Sequence, residues 1–264
     1  MKKVGHKNAF TLAEVLVTLG IIGIVAALTL PTLIANYKKQ VYVNQLKKTY
    51  SMLEQGFQKM LADEGVDSLA NTEVFGSIKT QCIASTTNDQ RCDAFFEKLK
   101  QYFVITDIGK TGNYKYAYIK KGSTPAYPDN NPNSSRIILE DGTMLFKYNI
   151  TQKEQPSSYS CDAIKALGGK MCSKMGNITI DVNGYKGPNI EGRDIFSFNI
   201  SSTGELAPYW STDSVIYAYR STSKVWYNNP STCGTSGQAD AHLLAQYGAG
   251  CAARIIDSGW KMDY

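Results

Sequence analysis

The chain has 264 residues, of which 43% are hydrophobic and 19% are charged, and its formal net charge is +5. This composition is typical of a folded globular protein and excludes a disordered chain. Three lysines lie within the first nine residues, which leaves a surplus of two positive charges for the remainder. That surplus is too small to indicate a nucleic-acid partner or binding to an anionic membrane.

The first signal along the chain is an uncharged apolar stretch from Val15 to Ile34. About twenty such residues are enough to cross the hydrocarbon core of a bilayer as a helix. Lys2, Lys3 and Lys7 precede the stretch, and by the positive-inside rule they keep the N-terminus in the cytoplasm. The rest of the chain is then expected on the other side of the membrane.

An acidic residue, Glu14, stands at the start of this stretch. An unpaired carboxylate is unfavourable in lipid, so Glu14 is expected to have a dedicated partner. No such partner can be named within the segment, which indicates that another molecule supplies it. No A-x-A cleavage site closes the stretch, and this argues against a plain secretory signal peptide.

The residues from Ala9 to Val15 read AFTLAEV. Together with the basic leader and the apolar helix, this motif resembles the class III signal of type IV pilins and type II secretion pseudopilins. The resemblance implies that a prepilin peptidase cuts between Ala9 and Phe10 and methylates the new N-terminus at Phe10. It also implies that Glu14 neutralises the N-terminal amine of a neighbouring subunit. The family usually has glycine before the cut; Ala9 is the mildest replacement, so processing is still expected, and the sequence does not tell whether it is slower.

The same resemblance implies the partners and the location of the protein. The partners are the prepilin peptidase, other pilin or pseudopilin subunits, an inner-membrane assembly platform, and the membrane itself through a single helix. Before assembly the protein spans the inner (cytoplasmic) membrane once, with its head in the periplasm. After assembly it lies in a pilus or pseudopilus at the cell surface.

The helix is predicted to continue beyond the membrane. Apolar residues recur at spacings of three and four, which is typical of an amphipathic helix; they are Val43, Leu46, Tyr50, Leu53, Phe57 and Met60. Pro31 should kink the helix, and Gly23 weakens it. Both residue types are common in membrane helices, so they are either simply tolerated or are weak points that bend or melt as subunits enter a filament.

The predicted boundaries are a leader at 1–9, a transmembrane and assembly helix at 10–35, its amphipathic continuation at 36–64, and a head at 65–264. In the head, Asp141-Gly142 between two strand-like runs predicts a β-hairpin. The fold class is therefore α+β, with a long helix packed on an antiparallel β-sheet and a disulfide-stabilised C-terminal region. This is the pilin-like arrangement.

Six cysteines all lie beyond the membrane stretch, and an even number in an exported chain indicates disulfides. A zinc site is the alternative, but no C-x-x-C spacing occurs and the chain has only two histidines. The cysteines fall into three close couples, for which local bridges are the simplest pairing: Cys82–Cys92, Cys161–Cys172 and Cys233–Cys251.

A polar segment holds four candidate calcium ligands, Asp181, Asn183, Asn189 and Asp194. Oxygen ligands near glycines suit calcium, and some pseudopilins hold calcium in C-terminal loops. The spacing is not that of an EF-hand, and the bidentate glutamate is missing. The alternative is a turn-rich connection in which Asp and Asn cap their own backbone.

No catalytic motif is found, so no enzyme activity, and no cofactor beyond calcium, is expected. The first hypothesis is a structural subunit of a pilus or pseudopilus. The alternative is a membrane-anchored module that binds protein, carbohydrate or DNA and does not polymerise. The sequence does not separate secretion, adhesion or motility, and DNA uptake.

Overall fold

The computed structural model of the chain describes residues 11–78, 81–83, 92–118, 135–156, 171–208, 233 and 250–264. Contacts divide the chain into two units, Met1–Val41 and Tyr42–Tyr264. The described helices and strands follow one another in this order: α1 (Leu12–Glu64), a 3-10 helix (Leu69–Asn71), α2 (Glu73–Gly76), β1 (Gln81–Ile83), α3 (Asp93–Leu99), β2 (Ile105–Lys110), β3 (Ala117–Tyr118), β4 (Ser135–Leu139), β5 (Met144–Pro156), β6 (Ser173–Asp181), β7 (Ile190–Glu191), β8 (Ile195–Ser201), β9 (Leu206–Pro208) and α4 (Cys251–Asp257).

The first unit contains the beginning of α1, which continues through Pro31 without interruption. Its large apolar side chains are exposed, among them Leu16 and Leu28 at 61% and 75%. Of the helices in the described ranges, α1 alone is long and apolar enough to cross a membrane. The proposed weak points, Gly23 and Pro31, lie within this continuous helix, and their role in filament entry stays a prediction.

The second unit is built on a nine-stranded sheet in the order β2-β4-β5-β6-β8-β7-β3, with β1 on β5 and β9 on β8. Most pairs are antiparallel, as predicted, but the short strand β7 is parallel to both of its neighbours. The predicted hairpin is present between β4 and β5. Its turn places Gly142 at a φ of 85°, a conformation that glycine adopts without strain.

The second half of α1 packs on one face of the sheet, and this confirms the α+β prediction. Five of the six predicted apolar positions are buried, and Tyr50 is partly buried. They belong to one core cluster with Phe196, Phe198 and Ile200 of β8. The second unit begins at Tyr42 and therefore includes the end of α1.

Polar side chains of α1 also bind the backbone of β9. The Tyr50 hydroxyl donates to the Leu206 carbonyl at 2.9 Å, and the Leu206 N–H donates to the Glu54 carboxylate at 2.9 Å. Backbone N–H and C=O groups that have no partner at the edge of a sheet can pair with other chains. The helix therefore both covers the sheet and satisfies part of its backbone.

Two of the three predicted disulfides are present, Cys82–Cys92 and Cys233–Cys251. Cys172 is also disulfide-bonded, whereas Cys161 lies outside the described residues. The first bridge joins β1 to the beginning of α3, and the second joins residue 233 to α4. Such short-range bridges stabilise chiefly by restricting the unfolded chain.

Gly56 is predicted to be essential for the packing of α1. A Cβ atom at this position would lie 2.3 Å from the Cε1 and Cζ ring atoms of Phe103. Gly56→Ala should therefore lower the free energy of unfolding by about 1–3 kcal/mol through overpacking. The higher helix propensity of alanine relative to glycine, about 1 kcal/mol, opposes this loss. Urea denaturation of the oxidised protein in detergent micelles measures the change.

Gly76→Ala is the matched control, because nothing lies within 4 Å of the Cβ position at this helical glycine. Its stability should equal or slightly exceed that of the parent protein. Equal stability of both variants would show that the Phe103 ring moves aside at no measurable cost.

Candidate assembly site and carboxylate loop

The first candidate site is the beginning of α1, where Thr11 and Glu14 bind each other. The Thr11 backbone N–H and hydroxyl both donate to Glu14 Oε2, at 2.8 and 2.9 Å. The Glu14 N–H in turn donates to Thr11 Oγ1 at 3.2 Å. This reciprocal pair is a capping box, and it provides acceptors for N–H groups that have none within the helix.

The capping box supplies hydrogen-bond donors for Glu14 that were not expected from the sequence. Thr11 provides them from within the segment, and a partner for the charge on another molecule stays a prediction. The signal was available, since threonine followed three residues later by glutamate is the capping-box pattern. Ala9 and Phe10, the predicted cleavage and methylation residues, lie outside the described residues.

Glu14 lies within a surface too apolar to face water. Leu12, Leu16 and Ile24 expose 77%, 61% and 65% of their surface. Large contiguous apolar surfaces of this kind mark contacts with a membrane or with another protein. The site therefore consists of a hydrogen-bonded carboxylate at the end of a helix that needs an apolar environment.

The second candidate site is the loop between β6 and β8, which contains the four predicted calcium ligands. Asp181 and Asp194 are fully buried. Asp181 accepts the N–H of Asn183 at 3.1 Å, and Asp194 accepts the N–H of Asn189 at 2.9 Å. The Asn183 side-chain N–H donates to the Gly187 carbonyl at 3.4 Å. The four residues thus lie in one loop as two hydrogen-bonded pairs, Asp181 with Asn183 and Asp194 with Asn189, and the two carboxylates cap the loop's own backbone as the turn interpretation predicts.

Among the described residues, no hydrogen-bond donor is found for two buried amide oxygens of this loop, Asn183 Oδ1 and Asn189 Oδ1. A buried acceptor without a donor is unfavourable. Carboxylate and amide oxygens are ligands that suit calcium. Within the described ranges, no group of three His, Cys, Asp or Glu side chains is placed to hold a metal. The fit to calcium therefore depends on the two amide oxygens, and calcium binding stays a prediction.

Burial changes the ionisation of the carboxyl groups in this region. It raises the pKa of Asp181 to about 8, against the lowering effect of a hydrogen bond from the Tyr114 hydroxyl. Burial likewise raises the pKa of Glu191 to about 7 and raises the pKa of Asp194. The loop thus concentrates carboxyl groups that are more stable without charge unless a cation joins them.

Residues distant in sequence hold this loop in place. Besides Tyr114 at Asp181, the Tyr264 hydroxyl donates to the Gly192 carbonyl at 2.7 Å. The Asn189 side chain donates to the Lys115 carbonyl at 3.2 Å. Sequence reasoning missed Tyr114 and Tyr264 as loop contacts, because no local pattern indicates a partner so far along the chain.

The head is predicted to become less stable as pH rises in calcium-free buffer with EDTA. The folded pKa values of Asp181 and Glu191 lie above the ordinary values of 3.8 and 4.5. Their stabilising contribution is therefore complete below about pH 4 and is lost as pH rises through about 7 to 8. We expect a loss of a few kcal/mol, measured by urea denaturation at several pH values.

The double variant Asp181→Asn and Glu191→Gln removes both titrations and should flatten this dependence. An unchanged slope in the double variant would show that other groups cause it.

Comparison with known families identifies the N-terminal signal. Residues 5–30 match the family described as "Prokaryotic N-terminal methylation motif". Comparisons with curated proteins and with solved structures gave no match. The matched range includes Thr11, Glu14 and most of the exposed apolar stretch. The chain therefore carries a type IV pilin-like prepilin signal at its N-terminus.

Proposed function

We propose that the protein is a structural subunit of a type IV pilus or a type II secretion pseudopilus. It is made as a precursor, cut between Ala9 and Phe10, methylated at Phe10 and polymerised through α1. The observation that carries this proposal is the match of residues 5–30 to the methylation motif, on a helix whose first half exposes its large apolar side chains in the described chain.

The physical chemistry of α1 supports polymerisation. Side-by-side association of such helices removes apolar surface from contact with water or lipid, and each buried large side chain is worth about 1.5–3 kcal/mol relative to exposure in water. Cleavage before Phe10 creates an ammonium group. Inside a low-dielectric bundle this group and the Glu14 carboxylate of a neighbouring subunit each need an opposite charge.

The proposal includes the cellular setting. The prepilin peptidase processes the chain, an inner-membrane platform assembles it with other subunits, and the single helix anchors it with its N-terminus in the cytoplasm. The head lies in the periplasm and then on the outside of the filament. Its role is structural, and no catalytic step is assigned to it.

Glu14→Ala should abolish incorporation into filaments and leave the head folded, because Glu14 belongs to the first unit of the chain. Glu140→Ala is the control, since it removes an exposed carboxylate from the head and should have no effect. Incorporation is measured in sheared or purified filaments from cells that express each variant. Normal incorporation of Glu14→Ala would contradict this role of the carboxylate.

The intact mass of the recovered protein gives the processing state in the same experiment. We expect a chain that begins at methylated Phe10 with its cysteines oxidised. Ala9→Gly restores the family's usual residue before the cut and should speed this processing. If both forms still begin at Met1 and remain in the membrane, the anchored binding module that does not polymerise becomes the better account.

We also propose that the loop between β6 and β8 binds calcium through Asp181, Asn183, Asn189 and Asp194. The two buried amide oxygens without donors support this proposal. A bound calcium ion would supply a positive charge beside two fully buried carboxylates. It would thereby fix the loop that Tyr114 and Tyr264 hold.

Calcium should raise the melting temperature of the protein relative to EDTA, since a ligand that binds only the folded state stabilises it. Magnesium should have a smaller effect because it prefers a smaller, near-octahedral site. Asn183→Ala should reduce the calcium-dependent increase, whereas Asn71→Ala, at an exposed position outside the loop, should retain it. Equal melting temperatures in calcium and EDTA would exclude the site.

A further inference from the structure

We propose that a basic rim on the head binds the anionic lipid headgroups of the membrane that holds the helix. The rim consists of four exposed residues, Lys110, Lys115, Lys186 and Arg193. They lie on and beside the loop between β6 and β8, together with the exposed side chain of Tyr185. This inference concerns the unassembled protein and goes beyond the proposed function, because it applies whether or not the chain polymerises.

Hydrogen bonds join the two segments that carry the rim, the loop itself and the segment from β2 to β3. The Asn189 side chain donates to the Lys115 carbonyl at 3.2 Å. The Tyr185 hydroxyl donates at 3.5 Å to the carbonyl of Thr111, the neighbour of Lys110. The four positive side chains therefore belong to one continuous part of the surface, where their charges act together.

The negative charges of the same two segments are enclosed or neutralised. Asp181, Glu191 and Asp194 are buried, and burial raises the pKa of Asp181 to about 8 and that of Glu191 to about 7. The exposed Asp107 forms an ion pair with Arg136 at 2.5 Å. Within the described part of the chain, no ion pair is found for the four rim residues. The small net charge of the whole chain thus conceals a local surplus of positive charge.

The position of Tyr42 keeps this rim near the membrane. Tyr42 is the first residue of the second unit, and the charges of Asp194 and Arg193 act on its hydroxyl group. The chain from Ile34, the last residue of the apolar stretch, to Tyr42 spans at most about 28 Å even when fully extended. The end of the head that carries the rim is therefore tethered close to the lipid surface.

Anionic lipid suits the rim in both charge and chemistry. Near an anionic membrane surface, each lysine or arginine changes the binding equilibrium by about fivefold. Tyrosine is common at the level of the headgroups because it is amphipathic, and Tyr185 exposes 48% of its surface. An acidic protein would also satisfy these charges, but the short tether supplies lipid at a high local concentration before any other subunit is present.

Amide hydrogen exchange of the full-length protein tests the proposal. The protein is reconstituted, with EDTA present, into vesicles of phosphatidylcholine alone and into vesicles that also contain phosphatidylglycerol. Exchange in the loop, residues 183–193, should be slower in the anionic vesicles by about fivefold or more, because lipid binding restricts the access of water. High salt should remove the difference, since it screens exposed charges.

Lys186→Glu should weaken lipid binding about 25-fold, because one attraction is lost and one repulsion is added. The slowing of exchange in anionic vesicles should then largely disappear. Lys153→Glu is the matched control, since it makes the same change of charge at an exposed position. Lys153 lies near the end of β5 opposite to Met144, which pairs with Asp181 at the start of the loop. This control should leave the slowing unchanged.

A second variant covers the case in which Lys186→Glu disturbs the loop. Lys110→Gln combined with Lys115→Gln removes two positive charges from the other segment, and it should also weaken lipid binding about 25-fold. Exchange of the β5 and β6 amides in detergent micelles reports whether each variant keeps its folded sheet.

Equal exchange of the loop in the two kinds of vesicle would overturn the proposal. The same holds if Lys153→Glu removes the slowing as completely as Lys186→Glu. Slowing that appears only after assembled filaments are added would assign the rim to a protein partner and would also overturn it. The vesicles contain no filaments, and incorporation of Glu14→Ala is measured in a separate sample, so this inference and the proposed function can fail independently.

Discussion

The structure depends on one constraint: α1 has apolar side chains along its whole length, but the described head covers only its second half. From Tyr42 onward, the buried seam of α1 meets the β8 side chains Phe196 and Phe198. The hydrogen bonds from Tyr50 and Glu54 to the Leu206 backbone add direction to this contact. Before Val41 the large apolar side chains remain exposed. A single helix therefore contributes both to the core of a folded domain and to a surface that requires a membrane or other subunits.

Carboxylates in two parts of the chain are stabilised by hydrogen bonds from nearby residues. At the beginning of α1, Glu14 takes hydrogen bonds from Thr11. In the loop between β6 and β8, Asp181 and Asp194 take them from backbone N–H groups. The donors are similar, but the consequences differ. The carboxylates of the loop are enclosed by the head, where burial raises the pKa of both groups. Glu14 instead lies on an exposed helix that can meet a charge on another molecule.

The two sites also differ in what they say about function. The beginning of α1 matches a family motif over residues 5–30, and such a signal is shared by machines for secretion, adhesion and DNA uptake. The loop of the head is held by Tyr114 and Tyr264, two residues that lie far apart in the chain. A change in this loop would therefore reach several elements of the head at once.

The sequence by itself determined the features that depend on local patterns. The spacing of Val43 to Met60 predicted the buried seam, Asp141-Gly142 predicted the hairpin, and cysteine spacing predicted the bridges at Cys82–Cys92 and Cys233–Cys251. These succeeded because helix periodicity, turn chemistry and short-range bridges act over a few residues. The T-x-x-E pattern at Thr11 was equally local and was overlooked.

Only the tertiary structure decided the contacts between distant parts of the chain. No sequence pattern near Gly56 predicts that the Phe103 ring lies against this residue. The parallel pairing of β7 likewise depends on where the chain returns to the sheet. The sequence predicted a set of four ligands, Asp181, Asn183, Asn189 and Asp194. Only the structure shows that two of their oxygens, Asn183 Oδ1 and Asn189 Oδ1, have no hydrogen-bond donor among the described residues. Hydrogen-bond satisfaction depends on every neighbour in space, and a linear sequence does not specify those neighbours.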